Sequence, residues 1–338
     1  MKKTLVALAV LSTMSLAGSA FAATSNLDIS GTLAVGIENM RSNDSISDAT
    51  HVQNYNSRIT LAGQENLDAD TSVIFSLTYG LPVSDNSGAT LLGQNQYLGL
   101  RTAYGTVMAG TLDNPVKGIG QKYDLFSDYI GDAGAITAQG FTDVRAGNVV
   151  AYVSPKVYGA TATYAHASND FKSPADDELH MLAVSYENGP MSIGLGYHVE
   201  DSSMVGAEEK AWRLGAGYSF GDINVVASLQ KVDNAGGASV ADSKAWSVGA
   251  NYKMGAATFK TQYTQLDDEQ AGMDANQWSV GVDYSLSKRT VLMAAYSRVD
   301  NGAGSSYGTS GSVEGTDISM VAAGANPASF GIGVKHSF

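Results

Sequence analysis

WRLGAGYSF at 212–220, WSVGANY at 246–252 and WSVGVDY at 278–284 share one spacing, a tryptophan six residues before a tyrosine. Alternation at period two puts Trp212, Leu214, Ala216, Tyr218 and Phe220 on one face of a strand, and Arg213, Gly215, Gly217 and Ser219 on the other. The next two stretches divide the same way, with Ser247, Gly249, Asn251 and Lys253, then Ser279, Gly281 and Asp283, opposite the aromatic face. An aliphatic face with aromatic rings at both ends suits a membrane with two interfaces, because each ring has an apolar body and a polar tip. Six residues at about 3.3 Å rise cover about 20 Å of strand. At the tilt of a membrane barrel this is about 15 Å of height against an apolar band of about 25 Å, so one ring of each pair lies slightly inside the band. Trp212, Tyr218, Trp246, Tyr252, Trp278 and Tyr284 therefore read as an aromatic girdle, and the opposite face as the wall of a lumen.

Outward from these strands the alternation continues. Leu27, Ile29, Leu33, Val35 and Ile37 oppose Asp28, Ser30, Thr32 and Glu38, while Val73, Phe75, Leu77 and Tyr79 oppose Ser72, Ser76 and Thr78. Short connections fall at 67–70, 104–105, 154–156, 188–190, 221–222, 254–255 and 287–288. Longer polar ones fall near 40–55, 80–93, 113–144, 167–177, 200–210, 233–243, 266–275 and 299–328. Seven short and eight long connections join about sixteen strands, an even number with the short-turn, long-loop asymmetry of outer-membrane barrels. The expected fold is all-β, a transmembrane antiparallel barrel of about sixteen strands, wide enough for a water-filled channel.

Residues 1–22 have a basic start at Lys2 and Lys3, an apolar run from Leu5, and Ala20-Phe21-Ala22 before Ala23, the pattern of a cleaved signal peptide. One barrel domain, 23–338, is expected to follow. No later apolar run approaches the ~20 residues of a spanning helix. Cysteine is absent, so the sheet holds without disulfides or thiolate metal sites. Loss of Lys2 and Lys3 moves the formal charge from −13 to −15, which disfavours nucleic acid as a partner. The five histidines are dispersed along the chain, which leaves no catalytic group or metal-ligand pair by spacing, and no cofactor motif stands out. Gly194/Gly196, Gly215/Gly217 and Gly331/Gly333 lack the context of a nucleotide loop and read as space on the inner wall.

The segment 113–144 departs from the alternation. It carries Asp113, Asp124, Asp128, Asp132 and Asp143, with bases only at Lys117 and Lys122, and helix is expected only within 117–136. A long insertion without strand character inside a compact domain usually has a function.

The final strand, Ser329 to Phe338, puts Phe330, Ile332, Val334, His336 and Phe338 on one face, and resembles the terminal strand of Gram-negative porins. Leu98-Gly99-Leu100, Gly105-Thr106-Val107, Ala109-Gly110 and Pro115 resemble the fourth and fifth strands that lead into the third loop of that family. The resemblance implies a homotrimer of barrels in outer-membrane lipid and lipopolysaccharide. It also implies a third loop folded inward, and a terminal aromatic, Phe338, read by the outer-membrane assembly machinery. It further implies that loop acids, here Asp113, Asp124, Asp128 and Asp132, face wall arginines matched by Arg58 and Arg145 beside Lys117 and Lys122. The Pro-Glu-Phe stretch of enteric relatives is absent, and Thr111 stands where many carry arginine. The function so implied is passive diffusion of ions and small hydrophilic solutes, with a weak cation preference expected from the loop's acidic excess. The alternative is a substrate-specific channel for sugars or anions, for which Tyr123, Phe126 and Tyr129 are the aromatic candidates.

Overall fold

The computed structural model describes residues 26–44, 48–84, 91–168, 178–201, 207–237, 241–270, 272–310 and 321–338. The signal-peptide cleavage expected after Ala22 lies outside these residues. The first half of the sheet comprises β1 (Asn26–Arg41), β2 (Ala49–Asn54), β3 (Arg58–Asn66), β4 (Ser72–Gly80), β5 (Leu92–Thr102), β6 (Gly105–Asp113), β7 (Arg145–Val153) and β8 (Ala160–Ser168). There follow β9 (Glu178–Asn188), β10 (Met191–Asp201), β11 (Glu209–Phe220), β12 (Ile223–Asp233), β13 (Ser243–Met254) and β14 (Ala257–Asp268). The last three are β15 (Ala275–Ser285), β16 (Thr290–Asn301) and β17 (Ala328–Ser337). From β3 onward each strand pairs antiparallel with the next, and β17 returns to β1 with Val35 opposite Val334 and Ile37 opposite Ile332. Closure leaves no free sheet edge, which is what a membrane interior without water demands.

Both β2 and β3 pair with β1, so they are successive halves of one barrel strand, and the barrel is sixteen-stranded with one extra strand by count. The long connection expected over 40–55 is therefore corrected: β1 extends to Arg41, and Ala49–Asn54 is already wall. The break at Tyr55-Asn56-Ser57 inserts one extra residue relative to β1, between the pairs Val35/Asn54 and Thr32/Arg58, and acts as a bulge. Asn56 takes a left-handed backbone, φ 55°, and the Ser57 hydroxyl accepts from the Ala34 amide at 2.9 Å, replacing a ladder bond. The bulge turns Tyr55 into the barrel.

Outside, Leu27, Ile29, Ile37, Leu98, Phe220 and Ile332 are exposed, as lipid-facing residues are. The girdle rings also face outward, Trp246 against Tyr263 at 5.3 Å and Trp278 against Tyr296 at 5.2 Å between centroids. The inner wall departs from the expected small and polar character in one quadrant. There Met108, Leu112, Val149, Ala151, Leu179 and Met181 form a buried apolar cluster against Val144. No helix among the described residues is long and apolar enough to cross a membrane. Helix occurs as α1 (Pro115–Lys122) and α2 (Gly134–Thr137) in the 113–144 segment. One short 3₁₀ turn, Ala235–Gly237, lies outside the expected range and follows β12.

At the seam, Gly31 and Phe338 exchange backbone hydrogen bonds of 3.1 Å in both directions, and the Phe338 ring covers Gly31, where a Cβ would stand 2.5 Å from Cζ. Deleting Phe338 removes both bonds and the ring. The yield of heat-modifiable folded barrel on unheated gels should fall severalfold, more than on deleting an exposed turn residue such as Lys288; equal yields would refute this.

Candidate functional site: the loop inside the barrel

The 113–144 segment is the third long connection, and it lies within the barrel against the inner wall. Its entry follows from local chemistry. Asn114 caps α1 by accepting from the Val116 amide at 2.9 Å, and Pro115 at the first helical position has no amide to leave unpaired. Along the loop Val116, Ile119, Tyr123, Phe126, Tyr129, Ile130 and Ile136 are buried, and each packs outward against the wall.

The wall receives them at glycines. A Cβ on Gly196 would stand 2.9 Å from Val116 Cα, on Gly194 2.6 Å from Ile119, on Gly249 2.9 Å from Leu125, and on Gly281 2.9 Å from Phe126. On Gly215 and Gly331 it would overlap the Tyr123 ring and Ile130 outright. These glycines run along the lumen faces of β10, β11, β13, β15 and β17, so the loop follows a glycine band around half of the barrel. The space read from Gly194/Gly196, Gly215 and Gly331 is space for the loop. Burial of each large side chain contributes on the order of 2 kcal/mol relative to leaving it in lumen water. Tyr55, delivered by the β2–β3 bulge, closes the band edge-on to Tyr129 at 4.4 Å.

Polar groups fix both ends of the loop. The imidazole of His198 on β10 is fully buried, with Nδ1 2.9 Å from Asn114 Nδ2 and Nε2 2.8 Å from Glu209 Oε1 of β11. The Asn114 amide donates to Phe141 O at 2.9 Å, and the Phe141 amide donates to Glu209 at 2.8 Å. With the imidazole proton on Nε2, every donor in this chain meets an acceptor. Arg213 of β11 supplies the second clamp, donating to both oxygens of Asp143 at 3.1 and 2.9 Å and to Val116 O at 3.3 Å. Burial alone would raise the Asp143 carboxyl, but the Arg213 charge and hydrogen bonds outweigh it, so the group titrates below the usual carboxylate range.

The expected acids are not equivalent. Asp113 stands at the loop stem, 3.1 Å from both Lys117 and Arg145 and within 2.7 Å of the Asn95 amide. Asp128 is the central acid that meets a wall arginine, with its carboxylate 3.3 Å from Arg58. Asp124 and Asp132 turn into the loop. Asp124 accepts from the Phe126 and Ala133 amides and from Gln262, each at 2.8 Å, while Asp132 accepts from Gly134 at 2.6 Å and Asp128 at 2.8 Å. The expectation that Asp124, Asp128 and Asp132 face Arg58 and Arg145 across open lumen is thus corrected to one contact, Asp128 with Arg58. A loop packed against a wall must satisfy its own amides, and carboxylates two to nine residues away do so. Burial raises both Asp124 and Asp132, and the neighbouring charge of Asp124 pushes Asp132 further up. Lys122 pairs with Glu187 of β9 at 2.7 Å instead of facing the opening.

Three basic residues missed in the sequence complete the surroundings. Arg213 sits on a face already assigned to the lumen. Lys260 of β14 pairs with Asp283 of β15 at 3.0 Å and stands 4.7 Å from the centre of the Phe126 ring. Lys335 of β17 lies among Arg58, Lys260, Asp128 and Asp283. The alternation of their strands places all three inside, and their signal was this phase alone.

A family model described as Gram-negative porin matches residues 6–304. Outer membrane porin protein 32 of Delftia acidovorans is 27% identical over 358 residues, covering 100% of each chain. Major outer membrane protein P.IB of Neisseria meningitidis serogroup B is 25% identical over 248 residues, covering 69% of this chain and 71% of its own. Among solved structures, the anion-selective porin from Comamonas acidovorans superposes with a TM-score of 0.79 at 24% identity, over 93% of this chain and 100% of its own. The trimer form of OmpT from Vibrio cholerae superposes at 0.69 with 17% identity, over 93% and 99%.

Replacing Gly215 by leucine drives a side chain into the space of Tyr123, an overpacking that costs about 1–3 kcal/mol or more. Single-channel recordings should show a noisier, larger conductance, while Gly217→Ala, whose Cβ would stand 3.0 Å from the Ser192 hydroxyl and at an ordinary 3.5 Å from the Tyr123 ring, changes little. Asp132 has a raised pKa in the folded loop, so its contribution is complete below the ordinary carboxylate pKa and is lost as pH climbs through the raised value. Hydrogen exchange at residues 124–134 should accelerate over that rise in the wild type and stay flatter in Asp132→Asn. Wild-type protection that, once corrected for the intrinsic rise of exchange with pH, does not change would disprove the raised Asp132 carboxyl.

Proposed function

Since the chain belongs to the Gram-negative porin family and is an outer-membrane channel protein, not an enzyme, we propose that it passes ions and small hydrophilic solutes by unassisted diffusion. The route runs through the part of the lumen that the third loop leaves open. The observation that carries this reading is the loop seated on the glycine band with its apolar side chains spent on the wall. Tyr123, Phe126 and Tyr129, the aromatics that a sugar-specific track would need, are at most 4% exposed. A solute at this level meets charged and polar groups and no continuous aromatic surface, which favours general diffusion over a substrate-specific channel.

The weak cation preference expected from formal charge loses its ground in this geometry. Asp113 and Asp143 are paired with Lys117, Arg145 and Arg213, and Asp124 and Asp132 are turned into the loop's own hydrogen bonding, away from the opening. What remains beside the opening is Arg58, Lys260 and Lys335 against Asp128 and Asp283, three bases to two acids. The proposed pore is therefore weakly anion-preferring, in line with the anion-selective porin it superposes on. Its selectivity falls as salt screens these charges. A homotrimer set in outer-membrane lipid and lipopolysaccharide, with Phe338 as the assembly signal and residues 23–338 as the mature barrel, completes the reading.

Reversal potentials across a KCl gradient in planar bilayers test it. The wild type should favour chloride slightly, Lys335→Ala and Arg58→Ala should shift the potential toward cations, and Asp128→Asn should shift it toward anions. Deleting 118–140 should raise conductance. Unchanged conductance on deletion would place the limiting section elsewhere, and strong cation preference in the wild type would overturn the charge assignment.

A further inference from the structure

Read along the chain, His166 and His180 have no ligand spacing, but the sheet register makes them direct partners across β8 and β9. Their neighbours on the same face, Tyr164 and Leu182, are exposed, so both imidazoles project from the outer wall. The rings stand 4.6 Å apart between centroids. Glu178 lies two residues before His180 and therefore on the same face, with its carboxylate 3.3 Å from His180 Nε2. One ligand atom from each of His166, Glu178 and His180 lies within 4.8 Å of the other two.

Two further observations point to a ligand. Among the described residues His166 Nδ1 is shielded from solvent and has no hydrogen-bond partner, an unused donor-acceptor atom beside a carboxylate and a second imidazole. His180 Nδ1 lies 3.0 Å from the Tyr164 hydroxyl, so the ring is held by one nitrogen while the other is directed to Glu178. This is how an outer partner orients a metal-bound histidine. The cluster sits at the long-loop end of the barrel, two residues inside the end of β8 and at the first turn of the ladder in β9, above an apolar patch of Val107, Val150 and Tyr152.

We propose that His166, Glu178 and His180 form a binding site for a divalent transition-metal ion of the zinc class on the outer face of the barrel, one per protomer. Two imidazoles and one carboxylate suit zinc, copper or nickel, whereas magnesium and calcium prefer oxygen-only shells. Metal–ligand bonds of about 2.0–2.2 Å require the three donor atoms to close to roughly 3.4 Å, a movement within reach of small side-chain rotations. Three protein ligands leave a fourth position for water. Bound, two neutral imidazoles and one carboxylate leave the site with one net positive charge.

The test uses purified protein stripped of metal by a chelator and titrated with Zn²⁺ against a chromophoric competitor. One ion should bind per protomer, and a large excess of Mg²⁺ should not displace it. His166→Ala and His180→Ala should each weaken binding at least about tenfold, the lower end of what losing even a supporting partner costs. Glu178→Gln, which keeps the side-chain shape, should weaken it as well, while His336→Ala, on a distant part of the outer wall, should leave it unchanged. Heat-modifiable migration shows that each variant is folded. Co²⁺ in place of Zn²⁺ should give visible bands that shift in both histidine variants. Absence of stoichiometric binding, displacement by Mg²⁺, or affinity unaffected by either histidine variant overturns the proposal.

Discussion

The close approach of the third loop to the inner wall is the constraint on which the channel depends. A loop of this length crossing a wide barrel could hang in water, where its backbone would be solvated and its conformations many. Here apolar side chains meet a wall from which the Cβ atoms are missing, at Gly194, Gly196, Gly215, Gly249, Gly281 and Gly331. Glycine weakens a strand, through chain entropy and the loss of side-chain packing. A sheet that is closed and hydrogen-bonded on both edges of every strand tolerates that loss. The loop then returns the missing packing from inside, so the wall and the constriction element stabilise each other.

Electrostatics follows from this packing. Once the loop is pressed against the wall, its amides leave water and need acceptors, and Asp124 and Asp132 are recruited to supply them. Acids that count as pore charge in a formal tally become part of the loop's internal hydrogen bonding, where burial disfavours their charged forms. Arg213 and the His198–Glu209 pair hold the two ends, and the charges left facing the opening are Asp128 of the loop and the few on β3, β14, β15 and β17. Net charge along the chain is therefore a poor guide to charge at the opening, even for a protein at −13 overall.

Legibility in the sequence divides along the same line. Strands were readable because a membrane barrel imposes period two with different solvents on its two faces, and Trp212, Trp246 and Trp278 mark the phase. Boundaries such as Tyr104-Gly105 and the 113–144 excursion were readable because turns and missing alternation are local signals. The β2–β3 bulge was not, since a polar run ending in Asn54-Tyr55-Asn56 looks like loop until the pairing with β1 is known. The pairings of Asp143 with Arg213 and Lys122 with Glu187 were hidden for a different reason: they join residues 70 and 65 positions apart, chosen by the path of the loop.

The same distinction between phase and register governs the two faces of the wall. Phase, fixed by the girdle, assigns Arg213, Lys260 and Lys335 to the lumen and His166 and His180 to the outside. Register decides which of these residues are neighbours, and closure at the seam between β1 and β17 ties the stagger of all the strand pairs into one fixed total. A slip of one residue at any pair would turn the glycine band outward and the lipid-facing aliphatics inward. The loop adds a second penalty, since Tyr123, Phe126 and Ile130 would then meet side chains where they now meet space. Selection for a seated loop is thus also selection for register, and it is register that brings His166 opposite His180 and holds Lys335 near Arg58.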